Sequence, residues 1–231
     1  MLFARSGFAI AAQALVAAIY ALQSSPTPWH DAAAWLPVYG TLIDAGCLAL
    51  LWWFARREEI DLFDLASFNR DLLLRDILIC IALIPPSLVF IFGGVFASGW
   101  LVYGKLTPPY LYDAFPLPAA LYGTFVWPFV WGLTEQMTYN GYLLPRFQVL
   151  FERTAPAVAV VVFVWSFQHV VMPLTFDVRF MMFRLLSPIP FTVFITLFYL
   201  WLRRLLPLAM AHALMDGSGV FAGVLLPLLK P

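Results

Sequence analysis

Apolar residues run along this chain in long blocks parted by short polar stretches. Eight segments read as hydrophobic, at about 6–23, 38–55, 77–97, 117–144, 156–172, 188–202, 205–216 and 218–229, the last ones short. No charge falls within 6–29, 77–104, 114–134, 154–176 or 185–202. A helix needs about 20 apolar residues to cross a bilayer core. The pattern therefore predicts an all-α fold: a polytopic transmembrane helical bundle of about eight spans, some short or broken. The polar run at 58–76 alternates acids, arginines and leucines, which predicts an amphipathic helix lying on the membrane surface. Pro85 and Pro86 predict a kink or break in the third span. Trp100, Tyr103, Tyr110 and Tyr112 predict an aromatic belt at one interface. No internal repeat or separate soluble domain is visible, so 1–231 reads as one membrane-embedded domain.

Composition agrees. The chain is 63% hydrophobic and 11% charged, with a mean hydropathy of +0.87, outside soluble globular usage. Thirteen basic and thirteen acidic residues cancel, which gives no footprint for nucleic acid. Arg5 ahead of an apolar run resembles a secretory signal, but no small-x-small cleavage pattern is convincing there, the run continues to a span-like length, and the segment reads as an uncleaved first span. Cys47 and Cys80 lie in apolar stretches without a C-x-x-C spacing and read as packing residues. With the N-terminus inside, Arg5, Arg56, Arg57, Arg70, Arg75, Arg146, Arg153, Arg203, Arg204 and Lys230 fall on the cytoplasmic side. Lys105, Arg179 and Arg184 fall outside. The expectation is an integral protein of a bacterial plasma membrane with cytoplasmic termini.

Against this background a few polar groups need a reason to be where they are: Asp44, Glu135, His169, and the pair His212 and Asp216. No charge lies between Asp113 and Glu135, and none follows before Arg146. A carboxylate at that depth costs roughly 3 kcal/mol on insertion scales. At about 1.5 Å per residue, Glu135 lies roughly 16 Å from the level of Arg146 and His212 roughly 12 Å from Arg204. His169 lies roughly 20 Å beyond Pro156 on the same scale, so all three can meet near the middle of a core about 30 Å thick. His212 and Asp216, spaced i, i+4, share a helix face. Asp44 falls near the outer end of its span and reads as interfacial or paired.

The three late segments resemble the motifs of the CAAX-protease and bacteriocin-processing (CPBP) family of membrane proteins. Its E-E-x-x-x-R, usually followed by Gly, corresponds to Glu135-Gln136-Met137-Thr138-Tyr139-Asn140-Gly141; its F-x-x-x-H to Trp165-Ser166-Phe167-Gln168-His169; its H-x-x-x-N, with Asp as a variant, to His212-Ala213-Leu214-Met215-Asp216. These residues make 117–219 the motif-bearing core. The resemblance implies a glutamate-dependent intramembrane endopeptidase acting on a membrane-associated peptide or protein, lipidated or carrying a C-terminal membrane tail, near the cytoplasmic leaflet. Glu135 would be the general base that activates water, His169 would hold that water, and His212 with Asp216 would stabilise the oxyanion. Asp216 cannot donate unless protonated, so its role is to orient His212. Gln136 and Asn140 depart from the family's Glu and Arg, and losing both charges together leaves the local net charge unchanged. An amide pair between them is expected in place of the bridge. Trp165 reads as packing one turn below His169, and Gly141 as permitting close helix approach.

Other functions stay open. Two histidines and two carboxylates suit zinc in number and type, but H-E-x-x-H is absent, and the resemblance implies chemistry without a cofactor or metal. A non-catalytic member of the same family, such as a bacteriocin-immunity factor or scaffold, would also carry Gln136 and Asn140. A proton-linked transporter would use the same buried acids and imidazoles, although no repeated halves are seen.

Overall fold

The computed structural model describes residues 1–66, 68–106 and 116–229. It is 84% helix. In chain order the helices are α1 (Ala4–Leu22), α2 (Pro28–Ala33), α3 (Leu36–Arg57), α4 (Leu62–Leu65) and α5 (Leu73–Tyr103). There follow α6 (Leu117–Phe125), α7 (Trp127–Gln136), α8 (Leu144–Phe151), α9 (Thr154–Gln168), α10 (Val178–Leu186), α11 (Ile189–Leu202) and α12 (Leu206–Val220). Six stretches are long and apolar enough to cross a bilayer: α1, α3, the stretch containing α5, Thr154–Val171, Val178–Leu202 and Leu206–Leu228. Leu15, Leu22, Leu74, Leu101, Phe129 and Trp201 stand exposed on the outer surface. In water such a surface would drive aggregation; in lipid it is the face the solvent requires. The protein is an integral membrane protein.

Several expectations change on contact with the structure. The segments at 205–216 and 218–229 are one helical stretch, Leu206–Leu228. Gly217, between the two expected segments, serves packing. A Cβ on Gly217 would come within 2.9 Å of the Thr124 carbonyl oxygen on α6. The helix expected across 58–76 is replaced by the one-turn α4 and a 3-10 turn at Arg70–Leu72. Asp61 accepts from the Phe63 amide and Asn69 from the Asp71 amide. These side-chain caps compete with helix continuation and divide the segment. Pro85 and Pro86 do not break α5, which runs through both; in lipid no water competes for the backbone bonds on either side. At 31 residues, α5 is about 46 Å long, longer than the core it crosses. Trp100 and Tyr103 lie in the last turn of α5, while Tyr110 and Tyr112 lie outside the described residues.

The stretch from Leu117 to Phe151 holds the first motif and is the most broken. It is interrupted at Val126, between the end of α6 and the start of α7, whose first turn holds Pro128, and then passes through a π-helix at Met137–Leu143 before α8. A π-turn widens the helix by one residue and is frequent at functional positions. Every residue from Thr134 to Leu144 is buried. Gly132 sets the distance to α12: a Cβ there would sit 3.0 Å from both the Ala209 carbonyl oxygen and the Ala213 nitrogen. Backbone meets backbone at that point, so the groups one turn on, Glu135 and His212, are drawn together. Gly141 is likewise pressed against Leu205 and Leu65, 2.9 and 3.3 Å from its absent Cβ.

Two apolar clusters flank the polar centre. One gathers Leu51, Leu83, Leu144, Trp165, Ile195 and Leu205; the other Leu36, Ile43, Trp127, Trp131, Met172 and Val220. Trp165 of the first and Trp131 of the second both touch the polar groups described next.

Candidate active site

Glu135 is fully buried, and each of its carboxylate oxygens has its own set of neighbours. Oε1 accepts from Gln168 Nε2 at 2.6 Å and from Arg5 Nη2 at 3.4 Å. Oε2 accepts from the Trp165 indole N–H at 2.6 Å and lies 3.7 Å from His212 Nε2. Four helices therefore meet at one side chain: α1, α7, α9 and α12. A carboxylate sealed from water stays in place only if donors replace its hydration, and this one has three.

His212 stands between two acids, with Nε2 3.7 Å from Glu135 and 3.5 Å from Asp216 Oδ2. Its other nitrogen faces Gln136 Nε2 at 3.5 Å. The expected amide pair forms: Asn140 Nδ2 donates to Gln136 Oε1 at 2.7 Å. With that oxygen accepting, the Gln136 amide turns its N–H₂ toward Nδ1, which leaves the His212 proton on Nε2, aimed at the carboxylates. Gln136 and Asn140 thus form a neutral relay that fixes a tautomer in place of a charged bridge.

His169 closes the C-terminal end of α9 in a 3-10 turn, with Nδ1 3.0 Å from the Trp165 carbonyl oxygen. That bond leaves Nε2 as the free nitrogen. His169, His212, Asp216 and Arg184 share a cleft of about 150 Å³ with Ile91 and Phe191. Arg184 holds the end of the His169 turn by donating to the Met172 and His169 carbonyl oxygens at 2.7 and 3.4 Å. Glu135 is not part of the lining; it stands directly behind His212. The structure thus brings together all four residues expected at the centre, three on the cleft wall and Glu135 one layer deeper.

Two residues take positions that the sequence did not suggest, and for a third, one of two readings holds. Trp165, read as packing, is a donor to the glutamate, and its ring stacks on Tyr139 with centroids 5.1 Å apart. Asp44, read as interfacial or paired, is the latter: fully buried and joined to Arg5 at 2.8 Å. Arg5, expected at the cytoplasmic edge, is fully buried beside Glu135 and drops out of the orientation count. Counting charges was the signal available: Asp44 and Glu135 are two acids in apolar helices, and a cation had to come from elsewhere in the chain. Among the described residues no group of three His, Cys, Asp or Glu is arranged to hold a metal.

The cleft lies away from the basic end of the bundle. That end is marked by the ion pairs Arg204–Asp76 and Arg146–Glu58. Measured from it by helix rise, Asp216 is about 18 Å along α12, Ile91 about 22 Å along α5 and His169 about 24 Å along α9. The cleft therefore lies at middle depth in the bundle, on the side of Arg184.

Fold and site together define an integral membrane protein with a carboxylate and two imidazoles drawn to one buried polar centre. Comparison with known families narrows this further. Residues 117–218 match the family described as Rce1-like, type II CAAX prenyl endopeptidase Rce1-like, a family of CAAX proteases. The match bears out the resemblance drawn from the three motifs and holds all of them in slightly under half of the chain. No curated protein and no solved structure matches the chain.

Proposed function

We propose that the chain is an intramembrane endopeptidase of glutamic type that hydrolyses a peptide bond of a membrane-associated protein or peptide. The single observation that carries the reading is the approach of His212 Nε2 to Glu135 Oε2 at 3.7 Å, at the wall of a cleft that also presents His169. In this mechanism a water held by His169 in the cleft attacks the scissile carbonyl carbon. Its proton passes to Glu135 Oε2, the oxygen that lies behind His212, once that ring yields to the entering substrate, and the carbonyl oxygen becomes an oxyanion. The Nε2–H of His212, kept in that tautomer by Gln136, donates to the oxyanion, while Asp216 orients the ring. Collapse of the intermediate sends the proton from Glu135 to the leaving amine. No metal enters the scheme, so chelators should leave the rate unchanged.

A second reading, a non-catalytic member acting as an immunity factor or scaffold, is favoured by a different observation. Glu135 already has donors on both oxygens and lies behind the cleft wall. Catalysis then requires His212 to yield when substrate enters. The deciding experiment is cleavage of membrane-tethered peptides by the purified chain in detergent, parent against Glu135→Gln. Loss of one general base lowers the rate by about 100-fold or more. Equal rates in the two proteins would remove Glu135 from the mechanism.

A further inference from the structure

We propose that Arg5 is a positioning residue for Glu135: from α1, outside the family-matched segment, its guanidinium pins one carboxylate oxygen and leaves the other for His212 and the cleft. The inference deepens the endopeptidase reading and rests on it.

The geometry is that of a fork filled on three sides. Arg5 Nη1 donates to Asp44 Oδ1 at 2.8 Å, Nε to Gln168 Oε1 at 3.0 Å and Nη2 to Glu135 Oε1 at 3.4 Å. The guanidinium lies 4.4 Å from the centroid of the Trp131 ring, and the side chain is fully buried. A planar guanidinium can hold three acceptors at fixed angles; an ammonium cannot. Arg5 also acts through Gln168, whose Oε1 accepts from both Arg5 Nε and the Tyr139 hydroxyl, at 3.0 and 2.9 Å. With its oxygen committed, the Gln168 amide can offer only N–H₂ to Glu135, and it does so at 2.6 Å. Both donors to Oε1 therefore depend on Arg5, whereas the donor to Oε2 comes from Trp165.

The rest of α1 reinforces the register. The Gln13 amide pairs with the backbone of Leu174, donating to its carbonyl and accepting from its N–H at 2.9 Å each. Phe3 packs edge-on against Phe167 at 5.9 Å. So α1 grips the second motif on both sides of His169. A bland account, in which Arg5 merely neutralises Asp44, explains the 2.8 Å pair but not the two bonds directed to Gln168 and Glu135.

The test separates these accounts. Arg5→Gln alone strands Asp44 and can fail to fold, so the informative protein is Arg5→Gln with Asp44→Asn, which removes the pair with no change in net charge. The double variant should fold, and its kcat should fall about 100-fold, the cost of misplacing a reacting group by about 1 Å. KM for the tethered peptide should stay within about twofold, and Arg5→Lys should fall between, keeping charge but losing the fork. A double variant that cleaves within about threefold of the parent, while Glu135→Gln does not cleave, overturns the inference and leaves the catalytic reading standing. Glu135→Gln cleaving like the parent fails the catalytic reading instead. A measurement without turnover completes the test: the unfolding constants of Arg5→Gln/Asp44→Asn, of Glu135→Gln and of the triple variant, against the parent, should show coupling of about tenfold. Additive effects also overturn the inference.

Discussion

Replacing Trp165 with phenylalanine removes one hydrogen-bond donor from the buried carboxylate and part of a large ring from a closed site. The indole N–H gives Glu135 Oε2 its shortest bond, 2.6 Å, and Trp165 is fully buried against Tyr139. A hydrogen bond to a charged group contributes about 1.5–3 kcal/mol. Shrinking a buried aromatic adds about 1–2 kcal/mol for the space left behind. The sum, about 2.5–5 kcal/mol, does not by itself show which effect dominates. The Glu135→Gln background does. There Oε2 is replaced by a neutral amide group, so the hydrogen-bond share shrinks while the packing share stays. Unfolding of parent, both single variants and the double variant, titrated in mixed detergent micelles, closes the cycle. We expect a coupling of about 1–2 kcal/mol, within the range seen for residues in direct contact. Peptide cleavage by Trp165→Phe should also fall, since Oε2 is the oxygen that takes the proton. A coupling below about 0.5 kcal/mol would mean that Trp165 only fills space, and the account of a donor-held base would be wrong.

Two further expectations concern packing and pH. Gly132→Val places a branched side chain where even a Cβ would lie 3.0 Å from two backbone atoms of α12. Overpacking of this kind costs about 1–3 kcal/mol, and no flexible side chain is available to yield. Thermal stability and cleavage should fall together; a variant as stable and active as the parent would refute the close contact as the device that sets the Glu135–His212 distance. At the basic end, the hydrogen bond from Arg146, then that from the Tyr142 hydroxyl at 2.6 Å, hold the Glu58 carboxyl below its ordinary range. A group whose folded value is depressed contributes stability above its unfolded value and loses it as pH falls through the folded one. Melting temperature should therefore drop slightly on acidification below the usual glutamate range, and Glu58→Gln should abolish that part of the drop. An unchanged acid limb in Glu58→Gln would show that this junction contributes nothing, the common result for exposed ion pairs.

Much of this protein follows from its sequence through one property, the absence of water around a membrane helix. Without water the backbone must bond to itself, so apolar blocks at 6–23, 38–55 and 77–97 appear as α1, α3 and α5. For the same reason a glutamate in such a block marks a site, and spacing along three helices is enough to bring Glu135, His169, His212 and Asp216 to similar depth. The Gln136–Asn140 pair was legible too, because an i, i+4 contact is local. Spacing carries no information about which face a helix turns to a distant neighbour. Arg5 ahead of an apolar run has the pattern of an interfacial charge, and only the packing of α1 against α3 and α9 turns it inward to Asp44, Gln168 and Glu135. Trp165 reads as an apolar residue until its N–H meets a carboxylate thirty positions away. The cleft itself exists only because α5, α9 and α12 bring Ile91, His169 and Asp216 side by side. Solvent exclusion acts on each segment alone and is written in the chain; the direction of a hydrogen bond between segments exists only once they are assembled.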